Sequence, residues 1–155
     1  MKILHIITSC DPANGGPIEG IKQLYKFYKK YDLKCEILSS DYKGKKFLKD
    51  KRLPKVNAVG PSFLGYGFNP KMVIWLRKNI LNYDFLIIDG IWQYHNYAVW
   101  KVAKEFKKPY YLFTHGMLDP WFKQNYPAKP EDEEDPEGFY YKQVNHHLGL
   151  TNYPL

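Results

Sequence analysis

Cysteine and long apolar runs are both scarce in this chain of 155 residues. The two cysteines, Cys10 and Cys35, match no metal-ligand spacing, and we expect both to be reduced and buried. No apolar run approaches the ~18 residues that cross a bilayer, and the residues after Met1 lack the apolar stretch of a secretory signal. These absences favour a cytoplasmic protein without membrane-spanning helices.

Common catalytic signatures are missing as well. The sequence has no Gly-x-Ser-x-Gly elbow, no Walker loop and no dinucleotide fingerprint of three spaced glycines. His146 and His147 are adjacent rather than helically spaced, so they do not predict a metal site. Nucleophilic catalysis, a metal centre and a Rossmann oxidoreductase are therefore poorly supported.

Basic and aromatic residues are abundant instead. The formal net charge is +7, and aromatic side chains make up 17% of the chain, with 14 Tyr and 4 Trp. Residues 131–155 hold six of the 16 acidic residues but only one of the 23 basic ones, so the preceding part is strongly basic. Such a surface favours phosphate-bearing ligands, anionic lipid head groups or nucleic acid. A solvated lysine-rich surface is an equally good interpretation.

Strand-like and helix-like segments alternate along most of the chain. The predicted strands are Ile3–Ile7, Cys35–Leu38, Val56–Val59, Phe85–Ile88 and Tyr110–Phe113. Alternation with helices predicts parallel βαβ units and hence a doubly wound, mostly parallel α/β sheet of about five strands, with a Rossmann-like fold. We predict one domain over residues 1–127 and an acidic, irregular tail over residues 128–155.

Two stretches between these elements are predicted to be loops. The lysine-rich stretch 43–52 reads as an exposed loop. The stretch 60–68, rich in glycine and aromatic residues, reads as a loop that folds over a site. A helix then begins at Asn69, whose side chain suits a cap, and Pro70, which suits the first helical turn.

Two glycines precede the first predicted helix. Gly15 and Gly16 are followed by Pro17, which suits the first helical turn. Amide groups at a helix start favour an anion, and glycines let a phosphate approach the backbone closely. The pattern predicts either a phosphate or substrate site or a tight structural turn. Glu19 either receives a substrate hydroxyl or complements the helix dipole, and Lys22 is predicted to face solvent.

His115 and Gly116 follow the predicted strand Tyr110–Phe113 after a single residue, Thr114. The carboxyl edge of an open α/β sheet is where ligands bind. A neutral imidazole there can exchange a proton with a substrate or polarise an oxygen. A purely structural histidine is the competing interpretation.

Trp92, Tyr94 and His95 follow the predicted strand Phe85–Ile88, in a loop that we expect to span Ile91–His95. This position brings them to the same sheet edge as the residues after the last strand. Packing against the next helix is the alternative interpretation, above all for Trp92.

Three segments together resemble one known family. They are the opening MKILHIITSCDPANGGPIEGIKQL, the middle DFLIIDGIWQYHNYAVWKVAKEFKKPYYLF and the signature THGMLDPWF. Residues 1 to about 127 thereby resemble the N-terminal half of family-four glycosyltransferases of the GT-B architecture. These are retaining enzymes that often act in exopolysaccharide or lipopolysaccharide assembly.

The resemblance implies an active site in a cleft between two Rossmann-like halves. The N-terminal half mainly holds the acceptor, and the C-terminal half binds the nucleotide-sugar donor. In such enzymes the departing diphosphate helps to deprotonate the acceptor, so the resemblance implies neither a metal nor another cofactor.

The resemblance also assigns roles to residues of this chain. His115 would lie near the transferred sugar and is the candidate catalytic residue. The residues expected to face the donor phosphates or the substrate are Gly15, Gly16, Pro17, Glu19 and Gly116. The residues expected on the acceptor side are Trp92, Tyr94, His95 and Asp119.

The chain departs from the family pattern at its C-terminal end. Residues 130–155 are acidic and unlike the family's continuation, and the sequence stops where a donor domain should begin. We expect a truncated gene product or one half of a split enzyme, with little or no transferase activity by itself. The alternative is a non-enzymatic acceptor- or membrane-binding module that pairs with a separate donor-domain chain.

The expected partners follow from these interpretations. They are a saccharide or lipid-linked acceptor, an anionic membrane surface and a separate C-terminal donor domain, and no nucleic acid is expected. The expected location is the cytoplasm, with peripheral attachment at the inner face of the membrane.

Overall fold

The computed structural model describes residues 1–116. Met1–His115 form one compact unit. Its strands are β1 (Lys2–Ile7), β2 (Lys34–Ser39), β3 (Lys55–Ala58), β4 (Phe85–Asp89) and β5 (Tyr110–Phe113). Its α-helices are α1 (Gly16–Lys30), α2 (Pro70–Asn79) and α3 (Tyr94–Phe106). The predicted domain boundary at residue 127, the acidic tail and Asp119 lie outside the described residues.

The five strands form one parallel sheet in the order β3-β2-β1-β4-β5. The chain runs outward from β1 to β3 and then returns to the other side of β1, so the direction of winding reverses between β1 and β4. Open α/β sheets bind ligands outside the carboxyl ends of their strands at such a switch point. The prediction of a doubly wound, parallel, Rossmann-like sheet of about five strands is confirmed.

Helices cover both faces of the sheet. Side chains alternate between the faces along each strand, so Leu4 and Ile6 pack in the cluster that includes α2 and α3. Ile3 and Ile7 pack on the opposite face, together with α1. By the same alternation His5 faces α1, where an apolar residue would be expected. This buried polar position in β1 takes part in the site described below.

Two helix starts determine which residues reach the carboxyl edge. The Asn69 side chain accepts a hydrogen bond from the Lys71 amide at 3.1 Å, so the predicted cap of α2 is confirmed. Helix α3 begins at Tyr94 with extended Gln93 as its N-cap. The predicted loop Ile91–His95 was therefore too long, because Tyr94 and His95 are buried and form the first helical turn.

The lysine-rich stretch 43–52 is only partly an exposed loop. A short 3-10 helix spans Lys46–Lys49, and Phe47 and Leu48 pack against a buried cluster that includes Leu53. The prediction of an exposed loop therefore holds for most of the stretch but not for Phe47 and Leu48, which cover the edge of that cluster.

Stretch 60–68 forms a hairpin loop that is closed by two backbone hydrogen bonds between Phe63 and Phe68. Its Tyr66 carbonyl accepts a hydrogen bond from the Tyr94 amide at 2.9 Å, which ties the loop to the start of α3. The expected loop is thus present, and it lies beside the carboxyl edge of the sheet.

Both cysteines are free and buried, as predicted. Cys10 lies after β1, and the Asp41 carboxylate accepts a hydrogen bond from its backbone N–H. Burial, together with the Asp41 charge, raises the pKa of the Cys10 thiol to about 12. Among residues 1–116, no helix is long and apolar enough to cross a bilayer.

Candidate functional site

Polar side chains from β1, β4 and the segment after β5 meet at the switch point. Asp89 is the last residue of β4, and His115 follows β5 by two positions. His5 lies in β1, beside β4 in the sheet. Because these three side chains come from neighbouring strands, the parallel topology brings together residues that are far apart in sequence.

Asp89 joins the two histidines through its two carboxylate oxygens. Oδ2 lies 2.7 Å from Nδ1 of His5, and Oδ1 lies 2.9 Å from Nε2 of His115. The Asp89 side chain is completely buried. On the far side of His5, Nε2 lies 3.1 Å from the hydroxyl of Tyr28 in α1. The result is a continuous Tyr28–His5–Asp89–His115 chain of hydrogen bonds.

The carboxylate sets the tautomers of both imidazoles. An ionised carboxylate only accepts hydrogen bonds, so Nδ1 of His5 and Nε2 of His115 donate to Asp89. When neutral, His5 then accepts from the Tyr28 hydroxyl through Nε2, and burial raises the pKa of that hydroxyl to about 12. His115 keeps Nδ1 as its acceptor nitrogen. This arrangement fixes the orientation of the His115 imidazole at the sheet edge.

The backbone at His115 is held in an unusual conformation. Its φ is 50°, in the left-handed region that residues with a Cβ rarely adopt, and Gly116 follows with a φ of 81°. A Cβ added at Gly20 of α1 would lie 3.6 Å from Cε1 of His115. The imidazole is thus positioned beside α1, and its side chain remains 21% exposed. His115 can therefore meet a ligand at the edge without leaving Asp89.

His95 supports the same edge from the first turn of α3. Its Nε2 lies 3.1 Å from the Asp89 carbonyl oxygen, and its Nδ1 lies 2.9 Å from the Thr8 hydroxyl. The Thr8 hydroxyl also hydrogen-bonds to the Gln93 side-chain amide. Complete burial lowers the pKa of His95 to about 4, so the imidazole is neutral at physiological pH.

The N-terminus of α1 is open to a ligand. Gly15 is the N-cap with a φ of 92°, and it supplies no side-chain cap for the first-turn amides. A Cβ added at Gly15 or Gly16 would meet no atom within 4 Å. Pro17 occupies the first turn as predicted. The uncapped N–H groups and the helix dipole make this end of α1 favourable for an anion.

The Glu19 carboxylate forms ion pairs with two basic side chains. It lies 3.0 Å from Nζ of Lys22 and 3.8 Å from a guanidinium nitrogen of Arg52. The prediction that Lys22 faces solvent was wrong: its side chain is 2% exposed, and its ammonium also lies 3.4 Å from Asp50. Two carboxylates make this burial tolerable for a lysine.

The aromatic residues before and within α3 differ in exposure. Trp92 is half-buried, whereas Tyr94 is buried against Phe68, with ring centroids 4.8 Å apart. Tyr94 and His95 are thus buried beneath the carboxyl edge of the sheet. The acceptor-side roles of all three residues stay predictions, as does that of Asp119.

His5, Thr8, Asp89 and Gln93 are site residues that the sequence analysis did not single out. One signal was available for two of them. His5 is a polar residue in a buried strand, and Asp89 ends the most apolar strand on the same face of the sheet. Thr8 and Gln93 offered no comparable signal, because their roles depend on the position of His95. Among residues 1–116, no cluster of His, Cys, Asp or Glu is arranged to hold a metal ion.

No protein-family model matches the sequence, and no curated protein matches it significantly. Among solved structures, the chain is similar to HepE from Anabaena, which was crystallised in complex with UDP and glucose. The TM-score is 0.54 at 20% sequence identity. The match covers 78% of this chain and 31% of HepE, so the chain spans about a third of the length of HepE. At this identity the likeness establishes the fold.

Proposed function

We propose that this chain is the acceptor-side, N-terminal part of a retaining, family-four glycosyltransferase of the GT-B type. The complete enzyme would transfer a sugar from a nucleotide-sugar donor to a saccharide or lipid-linked acceptor in polysaccharide or lipopolysaccharide assembly. Besides the acceptor, this part would require a donor domain, whether on the same polypeptide or on a separate one. Without that domain, the 155-residue chain would have little or no transferase activity.

The observation that carries the proposal is the pairing of two features at one sheet edge. One is the uncapped α1 N-terminus at Gly15 and Gly16. The other is His115, held by buried Asp89. The resemblance of the sequence to family-four enzymes and the fold shared with HepE support the same conclusion.

The two features would serve different parts of a nucleotide-sugar donor. The α1 amides would stabilise the negative charge that develops on the departing diphosphate. His115, with Nε2–H committed to Asp89, would accept a hydrogen bond from a sugar hydroxyl through Nδ1. Because the diphosphate itself takes part in deprotonating the acceptor in enzymes of this family, the proposal includes no metal ion.

Calorimetric titration of the purified chain with UDP tests the phosphate role. Gly16→Ala adds a methyl group in open space, at a position without a positive φ, so the fold should be retained. The methyl group would obstruct the approach of a phosphate to the first-turn amides. We expect UDP to bind about tenfold more weakly, the equivalent of one lost hydrogen bond to a charged group.

Gly65→Ala is the matched control, because it adds the same methyl group to open space in another loop. Its affinity for UDP should equal that of the unsubstituted chain. Equal affinity of the Gly16→Ala variant would contradict the phosphate role. Sugar transfer from any nucleotide sugar by the purified chain would contradict its proposed dependence on a donor domain.

A further inference from the structure

A concave surface lies along β3, at the opposite edge of the sheet from β5. It is a groove of about 560 Å³, which we call the lysine groove. Five lysines line it: Lys43, Lys45, Lys49, Lys71 and Lys78. None of the residues that line the groove is acidic. The groove is therefore a concentrated positive surface within the described part of the chain.

The construction of the groove places these lysines on two opposite walls. Segment 43–49 forms one wall and α2 forms the other. The edge strand β3 lies between them, because it pairs with β2 on one side only among the described strands. All five lysines are exposed, so their ammonium groups remain hydrated and available to an external anion.

Apolar side chains accompany the lysines. Ile74 and Trp75 line the α2 wall, and Ile74 is 54% exposed. The hairpin loop 60–68 begins next to the groove, since a Cβ added at Gly60 would lie 3.4 Å from Nζ of Lys71. Among the residues of this loop, Phe63 is 57% exposed and Leu64 is 79% exposed. Exposed apolar groups thus lie in the loop whose first residue, Gly60, borders the positive surface.

We propose that the lysine groove, together with the exposed side chains of Phe63 and Leu64 in the hairpin loop, binds the surface of a bilayer that contains anionic phospholipid. The lysines would contact lipid phosphates, and the two apolar side chains would enter the interfacial layer. Lysines attract an anionic bilayer through a summed effect, each strengthening the association about fivefold. Charge complementarity therefore identifies the partner as an anionic lipid surface.

An acidic peptide that extends the sheet at β3 is the main competing occupant. Such a peptide would use the open edge of β3 and the lysines on both walls. It would give no role to Leu64 and Phe63, which lie in the loop that follows the edge strand. A bilayer contact uses the lysines and these exposed apolar groups together, so the observations favour the bilayer.

The hairpin loop also reaches the candidate functional site. A Cβ added at Gly67 would lie 3.5 Å from the methyl group of Thr8, and the Tyr66 carbonyl binds the Tyr94 amide. A bilayer contact would therefore hold the switch-point edge near lipid-linked acceptors. Only this last consequence rests on the proposed transferase function; the binding of the bilayer does not.

Co-sedimentation of the full chain with phosphatidylcholine vesicles, with and without phosphatidylglycerol, tests the proposal. We expect binding only to the vesicles that contain phosphatidylglycerol. The Lys71→Gln/Lys78→Gln variant should bind them about 25-fold more weakly. The matched control is Lys26→Gln/Lys30→Gln on the exposed side of α1, which carries the same charge change on the other face of the sheet. It should bind within about twofold of the unsubstituted chain.

Leu64→Ser provides a second test that leaves the charge unchanged. We expect weaker vesicle binding, because serine removes the apolar side chain that would enter the interfacial layer. Leu64 is exposed, so the substitution should leave the core intact. Equal losses in the two double-lysine variants, equal binding to neutral vesicles, or an unchanged affinity of Leu64→Ser would each overturn the proposal. The proposal would also be overturned if the chain did not bind vesicles and an acidic peptide protected the β3 amides from hydrogen exchange. None of these outcomes bears on the proposed transferase function, which the UDP titration and the assay with nucleotide sugars test separately.

Discussion

The switch-point edge and the lysine groove use polar side chains in opposite ways. At the switch point, Asp89 and His5 are buried, and each polar atom has an identified partner at 2.7–3.1 Å. In the groove, five exposed lysines share one surface without any acidic lining residue. Burial makes the first region depend on single atoms, whereas hydration makes the second depend on summed charge. Substitutions should therefore act very differently in the two regions.

Asp89→Asn should have the largest effect. The amide cannot accept hydrogen bonds from both imidazoles, so one buried ring N–H loses its acceptor or must change tautomer. We expect the free energy of unfolding to fall by roughly 3 kcal/mol. Urea denaturation, followed by far-UV circular dichroism, measures this change.

The control is Asp84→Asn, which makes the same substitution at an exposed position. Its side chain accepts a single hydrogen bond from the Lys2 amide at 2.6 Å, and an amide oxygen can accept it as well. The change should stay within about 0.5 kcal/mol. Equal effects of the two substitutions would show that the buried carboxylate has no special structural role.

His95 should make stability depend on pH at the switch point. Its pKa in the folded chain is about 4, below the value of 6.5 for an exposed histidine, so the unfolded chain binds the proton more readily. Stability contributed by neutral His95 is therefore complete above pH 6.5 and is lost as the pH falls towards 4. The loss should be at most roughly 3 kcal/mol.

Thermal unfolding between pH 7 and pH 4 measures this dependence, with His95→Gln as the reference variant. His5, Asp89 and His115 remain in the variant, so the difference between the two curves isolates the contribution of His95. Parallel curves would contradict burial of a neutral imidazole. The expected change lies between pH 6.5, the pKa of an exposed histidine, and pH 4, near the pKa of His95 in the folded chain.

The sheet could be predicted from the sequence because strands and helices are recognised from patterns of neighbouring residues. Apolar strands such as Phe85–Ile88, alternating with amphipathic helices, are sufficient to predict a parallel α/β sheet, and the Asn69 cap of α2 was equally readable. The positions of Gly15 and His115 at the carboxyl edge followed from this topology. These features need only the neighbouring residues in the chain.

The contacts within the site could not be predicted from such local patterns. His5 and Asp89 are 84 residues apart, and their pairing requires knowing that β1 lies beside β4. Burial of Lys22 likewise depends on Asp50, which a separate segment supplies. Without this partner, helical periodicity alone assigns the lysine to solvent. Tertiary neighbours, rather than local propensity, determined each of these outcomes.

Lys22→Met should have a small to intermediate effect on the free energy of unfolding. The result compares a buried lysine with the exposed lysines of the groove. The substitution removes a buried charge while filling a similar volume, and Glu19 and Asp50 remain partly exposed. We expect a change within about 1 kcal/mol in the free energy of unfolding, since apolar replacement of a buried ion pair is often nearly neutral. Urea denaturation measures it, and a loss as large as that of Asp89→Asn would contradict this expectation.

The Lys71→Gln/Lys78→Gln variant should have the smallest effect on stability. Both side chains are exposed, so the free energy of unfolding should change by no more than about 0.5 kcal/mol. The same variant should show the large loss of vesicle binding described above. A substantial loss of stability would mean that the groove lysines have a structural role and would weaken the contrast between the two regions.

The most direct test of the site assignment is an amide-resolved NMR titration of the ¹⁵N-labelled chain with UDP. If the switch point is the ligand-binding edge, the shifts should concentrate in the Gly15–Gly16 turn, the first turn of α1 and the segment around His115. The amides of β3 and α2 that border the lysine groove should change little. Shifts confined to the groove would contradict the account, because they would show that the diphosphate binds by charge alone.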